Sequence, residues 1–202
     1  MTYDEVLLLL TKPEALRSRS GVIGQSSTIP PVRGLYAWFF REVPRNVPVE
    51  DCITIDGLTL LYVGISPSNP NSTQHLRKRI RHHFFGNAEG STLRQTLGVL
   101  LAEKSGFPLR RVGSGRRMTF THLGEQWLDD WMQENAFVVC VPHPAPWEVE
   151  ANIFQKLSLP LNIQDNRHHP YAPTLSRYRS EAKALARDEP IANEGNQSRR
   201  TS

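Results

Sequence analysis

The chain has 202 residues, of which 39% are hydrophobic and 22% charged, as in soluble globular domains and unlike disordered or fibrous chains. This length can bury a sizeable core without cross-links, and Cys52 and Cys140 lie too far apart in sequence to indicate a disulfide framework or a metal site. The aliphatic run Leu7 to Leu10 is too short for a secretion signal or a membrane span. We therefore expect a cytoplasmic protein that has no membrane partner.

Basic residues exceed acidic residues only slightly, 24 against 20, but they are clustered. A net charge of +4 indicates a mild preference for polyanions, and a solvated basic surface is the alternative explanation. One cluster lies at residues 77–83, and a second surrounds a Gly-Ser-Gly segment at 113–115. Their basic members are Arg77, Lys78, Arg79, Arg81, His82 and His83, and Arg110, Arg111, Arg116 and Arg117.

The first part of the chain predicts a helix, a loop and two strands. Thr2 and Glu5 form a capping box before the aliphatic run, which indicates a short N-terminal helix. Residues 18–31 are rich in Ser, Gly and Pro and predict a loop. Residues 34–40 (GLYAWFF) and 58–65 (LTLLYVGI) predict two strands that a polar stretch joins as a long hairpin.

The middle of the chain predicts three helices and a third strand. Apolar residues recur every four positions along a highly basic helix at residues 76–84. Ser91 caps a second helix, and residues 106–117 predict a mobile basic loop. An apolar stripe predicts a third helix that ends at Asn135, and the β-branched run at 136–141 predicts a buried strand.

The last part of the chain predicts two helices. One covers residues 147–157 after Pro146, because proline suits the first turn of a helix. The other covers about 174–187, and residues 188–202, which lack aromatic side chains, predict a disordered tail. This order of elements favours an α+β fold around a small central sheet.

Glu150 is an acidic residue that the predicted 147–157 helix places among apolar side chains. At about 100° per residue it shares an arc with Ile153 and Phe154. Glu148 faces water instead. An ionised, unpaired carboxylate within an apolar arc is costly, so an arginine from a neighbouring helix, a metal ion or a raised pKa must compensate Glu150. A hard ion such as Mg²⁺ binds oxygen ligands and retains waters, so one carboxylate and a substrate phosphate can form its site.

Arg79 and His83 share one face of the basic helix because they are four residues apart. An arginine can bind a phosphate through two hydrogen bonds while an imidazole one turn away orients a water or a phenol. A solvated basic face is again the alternative. Tyr36 and Tyr62 lie on the two predicted strands, where a single tyrosine is more often a core residue than a catalytic one.

Five short motifs occur in order between residues 34 and 162. They are Gly34-Leu35-Tyr36, Tyr62-Val63-Gly64, Leu76-Arg77-Lys78-Arg79-Ile80 with His83, Glu150-Ala151-Asn152-Ile153, and Pro160-Leu161-Asn162. Each motif alone is weak, whereas all five in sequence on the predicted strands and helices are specific. In this order they resemble the motifs of the GIY-YIG nuclease superfamily.

The resemblance implies a fold, an activity and a set of site residues. Residues 31–187 would form a domain with a three-stranded antiparallel sheet flanked by helices, an insert at about 91–121 and the C-terminal helix at about 174–187. The helix and loop that the residue pattern predicts at 1–30 would precede it. The implied activity is that of a metal-dependent endonuclease that hydrolyses phosphodiester bonds in DNA, with Mg²⁺ as cofactor and Mn²⁺ as its substitute. The implied catalytic residues are Tyr36, Tyr62, Arg79, His83, Glu150 and Asn162, with Glu150 as the metal ligand.

The chain departs from the pattern at Leu35 and Val63, which are conservative changes, and at Ile65, where many relatives carry a lysine. The insert is the expected place for substrate-specific contacts. The cluster at residues 167–171 indicates phosphate contact or loop packing rather than a zinc site. The expected nucleic-acid-binding residues are Arg77, Lys78, Arg81, Arg94, Arg110, Arg111, Arg116, Arg117, Arg167 and His168.

Two residue roles and the function itself have alternatives. Tyr36 is the expected general base, or else His83 takes the proton and Tyr36 positions the water. Asn162 anchors the backbone that carries the site or has a purely structural role. The chain is expected to be an endonuclease that acts on DNA as a monomer or homodimer. The alternatives are a module that binds nucleic acid without cutting it and a scaffold for acidic proteins, neither of which needs a metal carboxylate such as Glu150.

Overall fold

The computed structural model describes residues 1–23, 27–164, 166–195 and 197–199. The helices are α1 (Tyr3–Thr11), α2 (Arg19–Ile23), α3 (Leu76–Phe85), α4 (Thr92–Leu100), α5 (Ala102–Ser105), α6 (Thr121–Asn135), α7 (Glu150–Lys156) and α8 (Ala172–Asp188). The strands are β1 (Gly34–Phe40), β2 (Thr54–Ile55), β3 (Leu58–Ser66), β4 (Arg110–Val112), β5 (Arg117–Thr119) and β6 (Ala136–Pro142). None of the helices in these described ranges is long and apolar enough to span a bilayer.

The central sheet has four antiparallel strands in the order β2-β3-β1-β6, so the expected three-stranded sheet is wrong by one short strand. The additional strand β2 has two residues and pairs with the start of β3. Asp56 and Gly57 connect them with φ angles of 50° and 76°, and a two-residue hairpin turn favours such positive values. The predicted α+β fold is otherwise the one observed.

The central strand β1 is buried along its whole length because helices cover both faces of the sheet. Leu35 and Phe39 pack in a core with α1 and α7. Tyr36 and Trp38 face the opposite core, which contains apolar residues of α3, α4 and α6. This alternation places the Tyr36 phenol on the side of the sheet where the basic helix α3 packs.

Two segments predicted as loops contain regular structure. Residues 18–31 include the short helix α2, and residues 24–26 lie outside the described part of the chain. The expected mobile loop at 106–117 contributes instead to the hairpin of β4 and β5. Within this hairpin, Gly113 and Gly115 have φ angles of 59° and 82°, a region that glycine adopts without steric cost.

The predicted 147–157 helix is divided into two parts. Pro146–Glu148 forms a 3₁₀ turn, and α7 begins only at Glu150. The segment after α8, which the sequence predicts to be disordered, contacts the body of the protein in its described residues. The Ala192 amide donates to the Arg111 carbonyl at 2.8 Å, and Glu194 Oε1 accepts from the His122 amide at 2.8 Å.

Candidate active site

Tyr36 lies opposite Gly64 in the pairing of β1 with β3. The phenol occupies the space above this glycine, because a Cβ at position 64 would be 2.5 Å from Tyr36 Oη. Tyr62 lies on the same face of β3, and its ring stacks with that of Tyr36 at a centroid distance of 6.5 Å. The glycine of the second motif therefore provides the room in which the tyrosine of the first motif is held.

Replacement of Gly64 with alanine is expected to displace the Tyr36 phenol and reduce activity strongly while the sheet still forms. The added methyl group would overlap the hydroxyl and the ring atom that bears it. Gly21→Ala is the control, because a Cβ there meets nothing within 4 Å. Cleavage rates and near-ultraviolet circular dichroism of both variants provide the test, and a fully active Gly64→Ala protein would contradict this description.

The Tyr36 hydroxyl is held by two residues of α3. Arg79 Nε donates to Tyr36 Oη at 3.4 Å, and His83 Nε2 lies 2.9 Å from the same oxygen. On the other side of the imidazole, Nδ1 lies 2.8 Å from the Ser91 hydroxyl. Ser91 also caps α4, as the sequence predicts, by accepting from the Arg94 amide. The cap of α4 thus orients the imidazole that contacts the phenol.

Burial determines the protonation of these groups. It raises the pKa of Tyr36 above the ordinary value, and the nearby Arg79 guanidinium only partly offsets that increase. Burial likewise raises the pKa of Tyr62. Burial and the Arg79 charge together hold the pKa of His83 well below 6.5. At neutral pH the site therefore contains protonated phenols and a neutral imidazole.

His83 should make the protein less stable in mild acid. The unfolded chain binds a proton at this imidazole below about pH 6.5, whereas the folded protein does not until its lower pKa is reached, so the free energy of unfolding falls as the pH falls between these values. Relative to His83→Gln, the wild type should lose up to about 1.4 kcal/mol more per pH unit. Urea unfolding between about pH 7 and pH 5 measures this difference. Equal pH slopes for the two proteins would contradict it.

A cavity of about 500 Å³ opens beside Tyr36 and the edge of β3. It brings together residues from all five motifs, and His83 is fully buried behind Tyr36. Its polar and charged lining includes Tyr36, Tyr62, Ser68, Arg79, Thr92, Thr96, Glu150, Asn162, Gln164, Arg167 and Arg179. A phenol, a guanidinium and a carboxylate thus share one water-accessible space.

Glu150 is half-buried and lies in the first turn of α7, whereas Glu148 is exposed. This difference in exposure is the one that the sequence predicts. The prediction assumes one continuous helix over 147–157, whereas α7 begins only at Glu150. Among the described residues, no group of three or more His, Cys, Asp or Glu side chains could hold a metal ion. A single carboxylate that lines a cavity suits Mg²⁺, which retains waters and takes further oxygen ligands from a phosphate.

Asn162 holds the edge of β3 next to the cavity. Its Oδ1 accepts from the Val63 amide at 3.0 Å, and its Nδ2 donates to the Val63 carbonyl at 2.7 Å. The Leu161 amide also donates to the Leu61 carbonyl at 3.1 Å. The last motif therefore continues the hydrogen bonding of the sheet and fixes the strand that carries Tyr62 and Gly64.

The model of the GIY-YIG catalytic domain matches residues 34–181, which is more than half of the chain. The chain belongs to the GIY-YIG nuclease superfamily. No curated protein and no solved structure matches it. The matched range extends past Asn162, where the five motifs end, and stops within α8.

The prediction that Arg94 of the GIY-YIG domain binds nucleic acid is wrong. Its side chain is fully buried, with ion pairs of 2.7 Å to Glu125 and 2.8 Å to Asp129. It also donates to the backbone carbonyls of His83 and Phe84 at the end of α3. A guanidinium enclosed by these partners has no surface to offer to a phosphate.

Several other predicted nucleic-acid-binding residues make bonds within the protein. Arg111 donates to the Ala186 and Glu189 carbonyls at the end of α8, where the helix dipole favours a cation, and Arg110 donates to the Pro190 carbonyl. His168 Nε2 lies 3.0 Å from the Phe154 carbonyl, which corresponds to the loop packing considered for this cluster. Arg77 donates to the Ile29 carbonyl, and Arg167 lines the cavity. The remaining predicted residues are exposed: Lys78, Arg81, Arg116 and Arg117.

Sequence reasoning missed five polar residues that line the cavity, of which three lie on helices: Thr92 and Thr96 of α4 and Arg179 of α8. A hydrogen bond from Thr92 opposes the rise in the pKa of Tyr62. All three lie outside the motifs. The signal that could have found the two threonines is their spacing of four residues, which places them on one face of α4.

Proposed function

We propose that this GIY-YIG protein is a divalent-metal-dependent endonuclease that hydrolyses phosphodiester bonds in DNA. The observation that carries the proposal is the single cavity lined by Tyr36, Arg79 and Glu150. Hydrolysis of a phosphodiester needs a group that accepts a proton from water, a cation that binds the phosphate, and a means of stabilising the departing oxygen. The cavity offers a candidate for each need.

Arg79 would bind the phosphate that is cut. Its guanidinium is held at two points, by the Tyr36 hydroxyl at 3.4 Å and by the Gly90 carbonyl at 3.2 Å. A cation that is fixed before the substrate arrives stabilises transition-state charge without having to reorganise. The planar guanidinium also matches two phosphate oxygens, so lysine should replace it poorly.

Tyr36 and His83 would act together as the general base. The water gives its proton to Tyr36 Oη, and Tyr36 gives its own hydroxyl proton to His83 Nε2, 2.9 Å away. The lowered pKa of His83 keeps the imidazole neutral, and the tautomer with its hydrogen on Nδ1, facing the Ser91 hydroxyl at 2.8 Å, would leave Nε2 able to accept. His83 is fully buried and does not line the cavity, so in this scheme Tyr36 passes the proton from the water to it. In this scheme both candidate bases accept a proton, Tyr36 from the water and His83 from Tyr36.

Glu150 would hold Mg²⁺, with waters and the substrate phosphate as its other oxygen ligands. When bound, such an ion polarises a phosphate oxygen and stabilises the leaving group. Asn162 would maintain the site by fixing the Val63 backbone between Tyr62 and Gly64.

The test is incubation of the purified protein with labelled single-stranded, duplex and branched DNA, each with Mg²⁺, with Mn²⁺ or with EDTA. We expect at least one DNA to be cut with either metal ion and none to be cut with EDTA. Binding without cleavage under every condition would favour a non-catalytic module that uses the basic helix α3.

A further inference from the structure

Arg179 extends from α8 into the wall of the cavity, outside the five motifs. Its Nη2 donates to Gln95 Oε1 on α4 at 2.6 Å. Gln95 is almost fully buried, so its amide cannot move far. Arg179 is half-buried, and it lines the cavity where the proposed substrate would lie.

The charge of the cavity exceeds what one phosphate requires. Among the described residues that line it, Arg79, Arg167 and Arg179 are cationic and Glu150 is anionic, which leaves two positive charges in excess. A divalent ion at Glu150 would add two more. A single phosphodiester carries one negative charge, so the cavity suits a strand that places more than one phosphate in it.

We propose that Arg179, positioned by Gln95, binds the phosphate next to the one that is cut. This inference rests on the proposed function and identifies its substrate as a strand that extends past the cleaved bond. Arg79 contacts Tyr36 and would bind the phosphate that is cut. Arg179 lies on α8 instead, where its guanidinium is held by Gln95 of α4. Arg179 is thus a substrate-binding residue, and Gln95 is a positioning residue that acts through it.

The test measures DNA binding by the full chain in EDTA over a range of salt concentrations. Arg179→Gln removes the charge and keeps a polar group that can reach Gln95. Loss of a charge-assisted hydrogen bond should weaken binding about tenfold. Loss of one phosphate contact should also reduce the slope of log K against log salt by about 0.7 to 0.9. Arg179→Lys should restore the slope, and Gln95→Ala should weaken binding less than Arg179→Gln does.

Arg177→Gln is the matched control, because Arg177 is an exposed residue of α8 that pairs with Glu181 at 3.2 Å. It removes the same charge from the same helix and should leave the slope unchanged. If Arg179→Gln gives the wild-type slope while the wild type cuts DNA, the inference alone is overturned, and Arg179 only joins α8 to α4. A wild type that neither binds nor cuts DNA overturns the proposed function together with the inference.

Discussion

Replacement of Tyr36 with phenylalanine should lower the rate of DNA cleavage by about 10² to 10⁴-fold, the usual contribution of a general base. The variant keeps the ring that packs over Gly64 and against Tyr62. It loses only the oxygen that contacts Arg79 and His83. The loss should therefore affect the chemical step, because the cavity retains its shape and its arginines.

The measurement is the single-turnover rate with Mg²⁺ alongside the affinity for the same DNA in EDTA. We expect the rate to fall and the affinity to stay within about a factor of two, which is well below the tenfold change that 1.4 kcal/mol produces. Tyr178→Phe is the control, because Tyr178 lines a different cavity beside Glu42 and Lys104. Cleavage by Tyr36→Phe near the wild-type rate would remove Tyr36 from the proposed proton path.

Replacement of Arg94 with alanine should destabilise the protein by about 3 to 5 kcal/mol, because the buried Glu125 would lose its cationic partner, whereas Asp129 would keep its ion pairs with Arg19 and Arg199. Glu125 and Asp129 are both buried, and each lies within 2.8 Å of the Arg94 guanidinium. The end of α3 that carries His83 also loses the donor to its carbonyl groups. This predicted loss is a large part of the stability of a typical domain.

Urea unfolding of Arg94→Ala and of Lys104→Ala gives the comparison. Lys104 pairs with Glu42 at 2.6 Å, but both side chains are at least 40% exposed. An exposed pair contributes about 0 to 1 kcal/mol, so Lys104→Ala should remain close to the wild type. Equal unfolding free energies for the two variants would show that the buried ion pairs of Arg94 do not stabilise the fold.

The residues that the sequence predicts best are those whose positions depend on local periodicity. The capping box of Thr2 and Glu5, the strand at 34–40 and the cap at Ser91 follow from patterns within a few residues, and each is observed. The order of the motifs, and the family they resemble, predict that Tyr36, Arg79 and Glu150 converge. Neighbouring residues alone could not predict it, since the contacts that create the cavity join distant segments.

The error at Arg94 has a physical cause. An arginine in a basic, helical insert resembles a phosphate-binding residue unless its partners are known, and Glu125 and Asp129 lie 31 and 35 residues further along the chain. The omission of Arg179 has the same origin. Its contact with Gln95 spans 84 residues, and no local pattern on α8 indicates which of its arginines turns inward.

Glu150 and Glu148 differ in exposure as the sequence predicts, although the helix on which the prediction depends is not continuous. A continuous helix over 147–157 predicts an inward Glu150 and an outward Glu148, but Val149 separates a 3₁₀ turn from α7. The two glutamates still differ in exposure: Glu148 is exposed, whereas Glu150 is half-buried and lines the cavity.

The most direct test of the account compares the Mg²⁺ dependence of DNA cleavage for Glu150→Gln and Glu148→Gln. The two variants remove the same charge two residues apart, and only Glu150 lines the cavity with Tyr36 and Arg79. We predict that Glu148→Gln cuts DNA as the wild type does, whereas Glu150→Gln binds DNA but does not cut it at any Mg²⁺ concentration. Metal-dependent cleavage by Glu150→Gln at the wild-type rate would contradict the account.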